Sequence, residues 1–312
     1  MQRREKYISV VLLPVFIVLI LLVIFSLFLR KKYINQYSDG LNIYRIVESQ
    51  VKFGPRYVGS NGHSKTQELI IDELANKADQ LIEQKWTDKA TGQQLKNYIA
   101  RYNPDAPNRI IVATHYDTDQ YANKQRENQQ LSVPGANDGA SATALLIYLG
   151  TNLSSELSVQ QAGIDLIFLD AENYLPGDFN NWNTKGSEYF INNLGSLYDK
   201  KPIKSVFLDM VCKKNLRIKK ESFSANSFPW LYEEVWKAGK EVNNETYPDQ
   251  VVNEIKDDHT NFIKADIPSA LLIDMDYPYH NTSQDTLDKC SAKSLDIVYK
   301  TIKKFLTEKD RN

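Results

Sequence analysis

Five pieces of this chain end an apolar run in a side chain that binds metal or moves protons: His115-Tyr116-Asp117, Asp138, Glu172-Asn173, Asp209 and His280. A buried carboxylate or imidazole needs a partner or a metal, so strand ends that close this way line a site. The donor types suit zinc, which takes His nitrogen and carboxylate oxygen and keeps a position open in catalytic sites. Asp138 and His280 with one further ligand make one such site. His115 and Asp209, with Asp138 as a bridging carboxylate, supply donors for a second ion. Glu172, beside the ligand position on a strand-end turn, is the natural proton shuttle. Other polar residues have plainer readings. His63 reads as a helix-start residue and Asp170 as an anchor for backbone amides. His259 reads as a hydrogen-bonding neighbour of Asp258, and Trp230 and Trp236 as packing at helical spacing.

These residues need rigid elements behind them. The pattern predicts a helix starting near His63-Ser64, with Leu69, Ile70, Ile71 and Leu74 on one side. It predicts strands over Arg109 to Thr114, Ile164 to Leu169, Ile203 to Leu208 and Ala270 to Ile273. Between them fall helices Ala140 to Leu149, from Ser187, around Trp230 to Val242, and Ala292 to Leu306. Small residues in Pro134-Gly135-Ala136-Asn137-Asp138-Gly139 let backbone approach a ligand before the helix that follows. The alternation predicts an α/β fold, a central, mostly parallel mixed sheet flanked by helices, with ligands outside the carboxyl ends of the strands.

Composition sets the boundaries. The 312 residues carry 38 basic and 39 acidic side chains, a net charge of -1, and no finger-like Cys/His spacing, so nucleic acid is not an expected partner. The basic run from Lys213 to Lys220 reads as a solvated loop and strand face. Cys212 and Cys290 are too few for a disulfide framework and read as two small buried side chains. From Ile8 to Leu29 the chain is almost wholly apolar, matching the roughly 20 residues of a transmembrane helix. The run is long for a cleaved signal, and no small-residue cleavage site follows it before Arg30-Lys31-Lys32. The expected organisation is an anchor over residues 1–32, a juxtamembrane connection over 33–52 and a catalytic domain over 53–312. A single-pass anchor with the catalytic domain outside the cell is the favoured orientation.

From Phe53 to Leu306 the chain resembles the zinc-dependent exopeptidases, and among them most closely the bacterial glutaminyl-peptide cyclotransferases, or glutaminyl cyclases. The resemblance is carried by Gly54-Pro55-Arg56-Tyr57-Val58-Gly59-Ser60, Ala113-Thr114-His115-Tyr116-Asp117, Pro134 to Ser141, Phe168-Leu169-Asp170-Ala171-Glu172, Trp182 with Gly186-Ser187, Leu208-Asp209-Met210-Val211, Asp257-Asp258-His259 and Tyr279-His280. It implies zinc, with one ion expected and two possible, held by Asp138, position 173 and His280. Glu172 would be the proton shuttle, and Asp209 and Asp258 part of a hydrogen-bonded acid network. Trp182 is similar to the aromatic that walls the family's substrate pocket, and Tyr279 stands where animal members carry tryptophan. His115 and Asp117 are similar to the element that serves a second metal in the aminopeptidase branch, a site described as empty in cyclases.

The departure is Asn173, where the family has Glu or Asp. An amide ligand without charge weakens zinc binding, unless Asp178 or another loop carboxylate substitutes. Three functions follow in order: cyclisation of N-terminal glutamine on peptides or proteins, aminopeptidase action by the same groups, and a membrane-tethered peptide-binding protein that has lost turnover.

Overall fold

In the computed structural model, residues 2–156, 162–172 and 184–307 are described, with side chains left aside for 2–15, 17 and 154–156. Asn173, Asp178 and Trp182 lie outside the described residues. The elements run α1 (Gln2–Gln36), α2 (Ser38–Lys52), α3 (Asn61–Leu74), β1 (Gln80–Thr87), β2 (Gln94–Tyr102), β3 (Arg109–His115), α4 (Ala140–Glu156), β4 (Gly163–Leu169) and α5 (Lys185–Asn192). They continue through β5 (Lys204–Asp209), β6 (Lys220–Glu221), α6 (Ser222–Ser227), α7 (Pro229–Asn243), β7 (Val251–Val252), α8 (His259–Lys264), β8 (Ser269–Ile273) and α9 (Ala292–Thr307).

Six strands form one mixed sheet in the order β1-β2-β4-β3-β5-β8, and β6 and β7 pair separately. The four strands β4, β3, β5 and β8 are parallel, while β2 is antiparallel to both β1 and β4. The parallel strands are buried on both faces, which is why they read as unbroken apolar runs. On β3, Ile110 and Val112 pack into one core cluster with residues of α2, α4, α7 and α9. Ile111 and Ala113 face the other, with Phe190 of α5 and Phe262 of α8. Register brings His115 level with Leu169, and Asp209 level with Ile273. The chain therefore leaves all four parallel strands at one edge of the sheet, where the site is built.

Several expectations change here. The segment read as a connection, 33–52, holds the end of α1 and all of α2, and α2 packs on α4 and α9 with Ile43 and Val47 fully buried. A side chain at Gly40 would overlap the carbonyl of Ala292, so α2 and α9 approach as closely as backbones allow. Cys212 and Cys290 are buried as expected, but they are joined in a disulfide, with Cα atoms 4.7 Å apart. The pairing follows from the fold, since Cys212 leaves β5 where Cys290 enters α9, and Lys213 bridges Cys290 through the backbone. The basic run is folded against acids: Lys213 and the backbone N–H of Arg217 bond Asp274, while Lys219 bonds Asp276.

Helix α1 contains the apolar run, and Phe16 and every large apolar residue from Val18 to Leu29 are exposed around it. Among the described residues no helix is long and apolar enough to cross a membrane. The part of the run with described side chains, Phe16 to Leu29, is too short on its own. Its first part, from Ile8 to residue 15, lies outside the described side chains.

Candidate functional site

Each functional side chain sits where a strand or loop meets the carboxyl edge of the sheet. His115 is the last residue of β3, and its carbonyl accepts from Thr143 Oγ1 of α4 at 3.0 Å. Glu172 follows β4 through Ala171, whose φ of 57° turns the chain sharply out of the strand. Asp209 ends β5 just before Met210, with φ 48°. Left-handed backbone at two residues carrying a Cβ costs energy, and both flank a site residue. The Glu172 backbone N–H donates to Asp117 Oδ1 at 3.1 Å, tying the two strand ends together.

At the centre, Asp138 turns each oxygen toward a different imidazole. Its Oδ1 is 3.3 Å from His115 Nε2, and its Oδ2 is 3.5 Å from His280 Nε2. His115 Nε2 is also 3.2 Å from Asp209 Oδ1, while its Nδ1 is 3.4 Å from both Asp117 Oδ1 and Glu172 Oε2. Donor atoms of His115, Asp138 and Asp209 all lie within 4.8 Å of one another, close enough to share one ion. Buried Asp138 Oδ2 makes no hydrogen bond to a described residue, as expected of an oxygen reserved for a metal. The donors fit zinc, with Asp138 in the bridging position between a His280 side and a His115–Asp209 side.

Burial and crowding set the protonation states. Burial, reinforced by Asp257, Asp209 and Asp258 against the pull of His115, pushes the Glu172 carboxyl well above the usual carboxylate range. A carboxyl so raised is suited to hold a proton and pass it on. Burial alone would raise Asp138 too, but His115 and His280 hold it at about 2, an ionised ligand. Burial, with the nearby Lys124 and His115 charges, lowers His280 to about 4 against the pull of Asp138, which keeps its imidazole neutral. Burial and the neighbouring Asp257 raise Asp258 to about 8.

The loop carrying Asp138 is braced from two sides. Buried Arg56 donates to the carbonyls of Pro134 at 2.8 Å, Gly135 at 2.5 Å and Asp138 at 3.3 Å. Gly135 has φ 62°, and a Cβ there would strike Thr118 and Arg56. From below, Asp285 accepts from the N–H groups of Asn137 at 2.9 Å and Asp138 at 3.0 Å, and from Tyr277 OH at 2.6 Å. Neither Arg56 nor Asp285 has a role in the sequence reading. Arg56 lies in a quoted motif, and a cation in a run of small turn residues is a usable signal. Asp285 carries no signal beyond following His280 closely.

A cleft of about 450 Å³ opens over this centre, lined by Asp138, Glu172, Asp209, Asp257 and His280 among others. Asp258 is buried behind it, and Asp257 faces it instead. Tyr279 is not among the lining residues; its ring packs edge-on to Tyr277 at 5.6 Å, beneath Lys289. His63 Nε2 lies 2.8 Å from Asp170, which also accepts from the Lys96 N–H at 2.7 Å, so both hold the base of the Glu172 turn. His259 faces Glu221 at 3.4 Å, away from the metal donors. Trp236 is buried against Tyr232 and Trp230 is exposed, as packing residues.

Residues 97–306 match peptidase family M28. The glutaminyl-peptide cyclotransferase of Drosophila melanogaster is 26% identical over 158 residues, 49% of this chain and 41% of that protein, so the match spans about two fifths of the relative's length. Two solved structures superpose closely. A zinc-dependent exopeptidase from Parabacteroides distasonis has a TM-score of 0.80 at 23% identity, covering 86% of this chain and 98% of that one. The glutaminyl cyclase of Bacteroides thetaiotaomicron, bound to N-acetylhistamine, has a TM-score of 0.78 at 28% identity, covering 86% and 98%.

Proposed function

The chain belongs to peptidase family M28, and from that premise we propose that it is a zinc-dependent glutaminyl-peptide cyclotransferase, converting N-terminal glutamine of peptides to pyroglutamate. The observation that carries the reading is a raised carboxyl, Glu172, beside the Asp138–His280 pair in one cleft. Likeness to the Drosophila and Bacteroides cyclases favours this chemistry over peptide hydrolysis.

Asp138 and His280 would hold the catalytic ion, with position 173 the third ligand that the family resemblance implies, and His115 and Asp209 have the donors for another. When bound, zinc acts as a Lewis acid that polarises the side-chain amide carbonyl of the substrate glutamine. The substrate's α-amine nitrogen attacks that carbonyl carbon, closing the lactam ring. Glu172 takes the proton from the amine and returns it to the amide nitrogen, whose bond to carbon breaks to release ammonia. Burial, reinforced by Asp257, Asp209 and Asp258, keeps Glu172 a weak acid, suited to hold the proton between the two transfers. Asp117, bonded to the Glu172 N–H, fixes the turn from which it works.

Ammonia release and loss of one ammonia in mass, measured with a glutaminyl peptide and the zinc-loaded protein, test the assignment. Glu172→Gln should keep its zinc and lose about 10²- to 10⁴-fold in rate. Release of a free N-terminal residue instead would make the protein an aminopeptidase. That second reading draws support from the complete His115–Asp138–Asp209 donor set. Turnover of neither kind would leave a peptide-binding protein, the reading favoured by Asn173.

We propose a membrane-tethered location, with support from α1 and the disulfide. A helix whose large apolar side chains from Val18 to Leu29 are all exposed, with Arg30-Lys31-Lys32 directly after that run, fits a bilayer better than water, with residues 8–29 as the proposed span. A buried disulfide suits an oxidising compartment, which favours a catalytic domain outside the cell. Protease treatment of intact cells should cleave the domain; protection would place it in the cytoplasm.

A further inference from the structure

The loop from Asp119 to Ser132 is fastened across the site. The Lys124 N–H donates to Asn281 O at 3.3 Å, and Gln125 Oε1 accepts from Ser283 N at 3.1 Å and Ser283 Oγ at 2.9 Å. Two consecutive residues are thereby docked on the turn that follows His280. With its backbone fixed there, Lys124 reaches inward until Nζ lies 2.9 Å from His280 Nδ1 and 3.3 Å from Nε2. The carboxylate partner of that same imidazole is Asp138, 3.5 Å away. Burial lowers the Lys124 ammonium below the usual lysine range, against the attraction of Asp138, Asp119, Glu172 and Asp209.

A neutral imidazole offers one lone pair, and an ammonium that hydrogen-bonds it uses the electrons a metal needs. Both cations also draw on the charge of Asp138.

We propose that the Lys124 ammonium is the resident cation of the Asp138–His280 pair, and that a divalent metal ion must displace it to bind there. The proposal rests on the metal reading of the site. It makes zinc affinity, rather than the chemical step, the property that Lys124 governs, and couples metal binding to withdrawal of Lys124 from His280.

Zinc affinity measured by competition with a chromophoric chelator, on the whole protein, tests this in four forms: the parent, Lys124→Met, Lys124→Arg and His280→Ala. Removing the charge should tighten zinc by about tenfold or more, since a full positive charge next to the ion is lost. Lys124→Arg, which keeps the charge, should stay near the parent. His280→Ala should lose the tight site. If Lys124→Met binds zinc no better than the parent while His280→Ala still loses it, the proposal is overturned and the metal reading stands. Zinc retained by His280→Ala at parental affinity overturns the metal reading of this pair. Absence of zinc from both the parent and Lys124→Met overturns both.

Discussion

Asp138 divides its two oxygens between two imidazoles, and that division predicts unequal consequences for neighbouring ligands. Asp138→Ala should strip every ion from the site, whereas His280→Ala should leave only what His115 and Asp209 hold. Zinc-to-protein ratios by atomic emission decide it, and full zinc content in both variants would contradict the assignment. Asn173→Asp supplies a charge where the family has one and should tighten zinc; an unchanged affinity in chelator competition would mean that position 173 is not a ligand. His115, Glu172 and Asp209 could be picked out because an acid or imidazole at a strand end has few reasons to be there, whereas Asp138 and His280 lie in loops and were marked by the small-residue and Tyr-His motifs around them. Arg56, Lys124 and Asp285 were not, because a charged residue in a polar loop looks solvated until the fold shows what it faces.

Among the elements, the parallel strands could be read from their apolar runs, and α3, α7 and α9 from their amphipathic spacing. The β1–β2 hairpin escaped notice because β1 is half-exposed and its residues Gln80, Glu83, Gln84 and Lys85 break the apolar signal. The polar turn with Gly92 was the available cue. Helix α2 was mistaken for a connection because its buried face rests on only a few apolar residues. The end of the sheet away from the site holds a buried ionic knot. Asp165 of β4 accepts from Arg109 at 2.5 Å and 3.0 Å, from Arg101 at 3.1 Å and from Tyr198 OH at 2.6 Å. Asp165→Ala leaves Arg109 buried without its partner and should cost about 3–5 kcal/mol. Denaturant melts measure the loss; a change below about 1 kcal/mol would show that water replaces the carboxylate.

At the scale of the whole molecule, α2 is part of the packed unit, because Ile43 and Val47 are buried against α4 and α9. A chain starting near Tyr33 keeps α2 and should be soluble and melt cooperatively. One starting at Phe53 loses the burial of Ile43 and Val47 against α4 and α9, roughly 1.5–3 kcal/mol for each side chain, and uncovers the core surface beneath. It should aggregate or melt without a sharp transition. Equal melting curves for the two would return α2 to the status of a linker. The Cys212–Cys290 link sits next to the site: Cys212 N donates to Asn137 Oδ1 at 2.8 Å, beside Asp138. Replacing both cysteines by serine should lower stability by about 2–4 kcal/mol, read as a fall in the melting temperature.

Ala171 and Met210 hold left-handed backbone at the two strand ends that aim Glu172 and Asp209. Glycine would sit there without a steric penalty, and the side chains present forgo that ease. Relief of the Cβ clash is worth roughly 1–2 kcal/mol, while the freer unfolded chain takes back about 0.4–1 kcal/mol. Ala171→Gly should therefore make the fold slightly more durable and the enzyme worse, because a glycine hinge lets Glu172 wander from its mark. Thermal melts and turnover measured together would expose that exchange. A variant both less stable and fully active would mean that the turn is relaxed. The opposite pattern would identify a chain that holds its aim at the expense of durability at this corner.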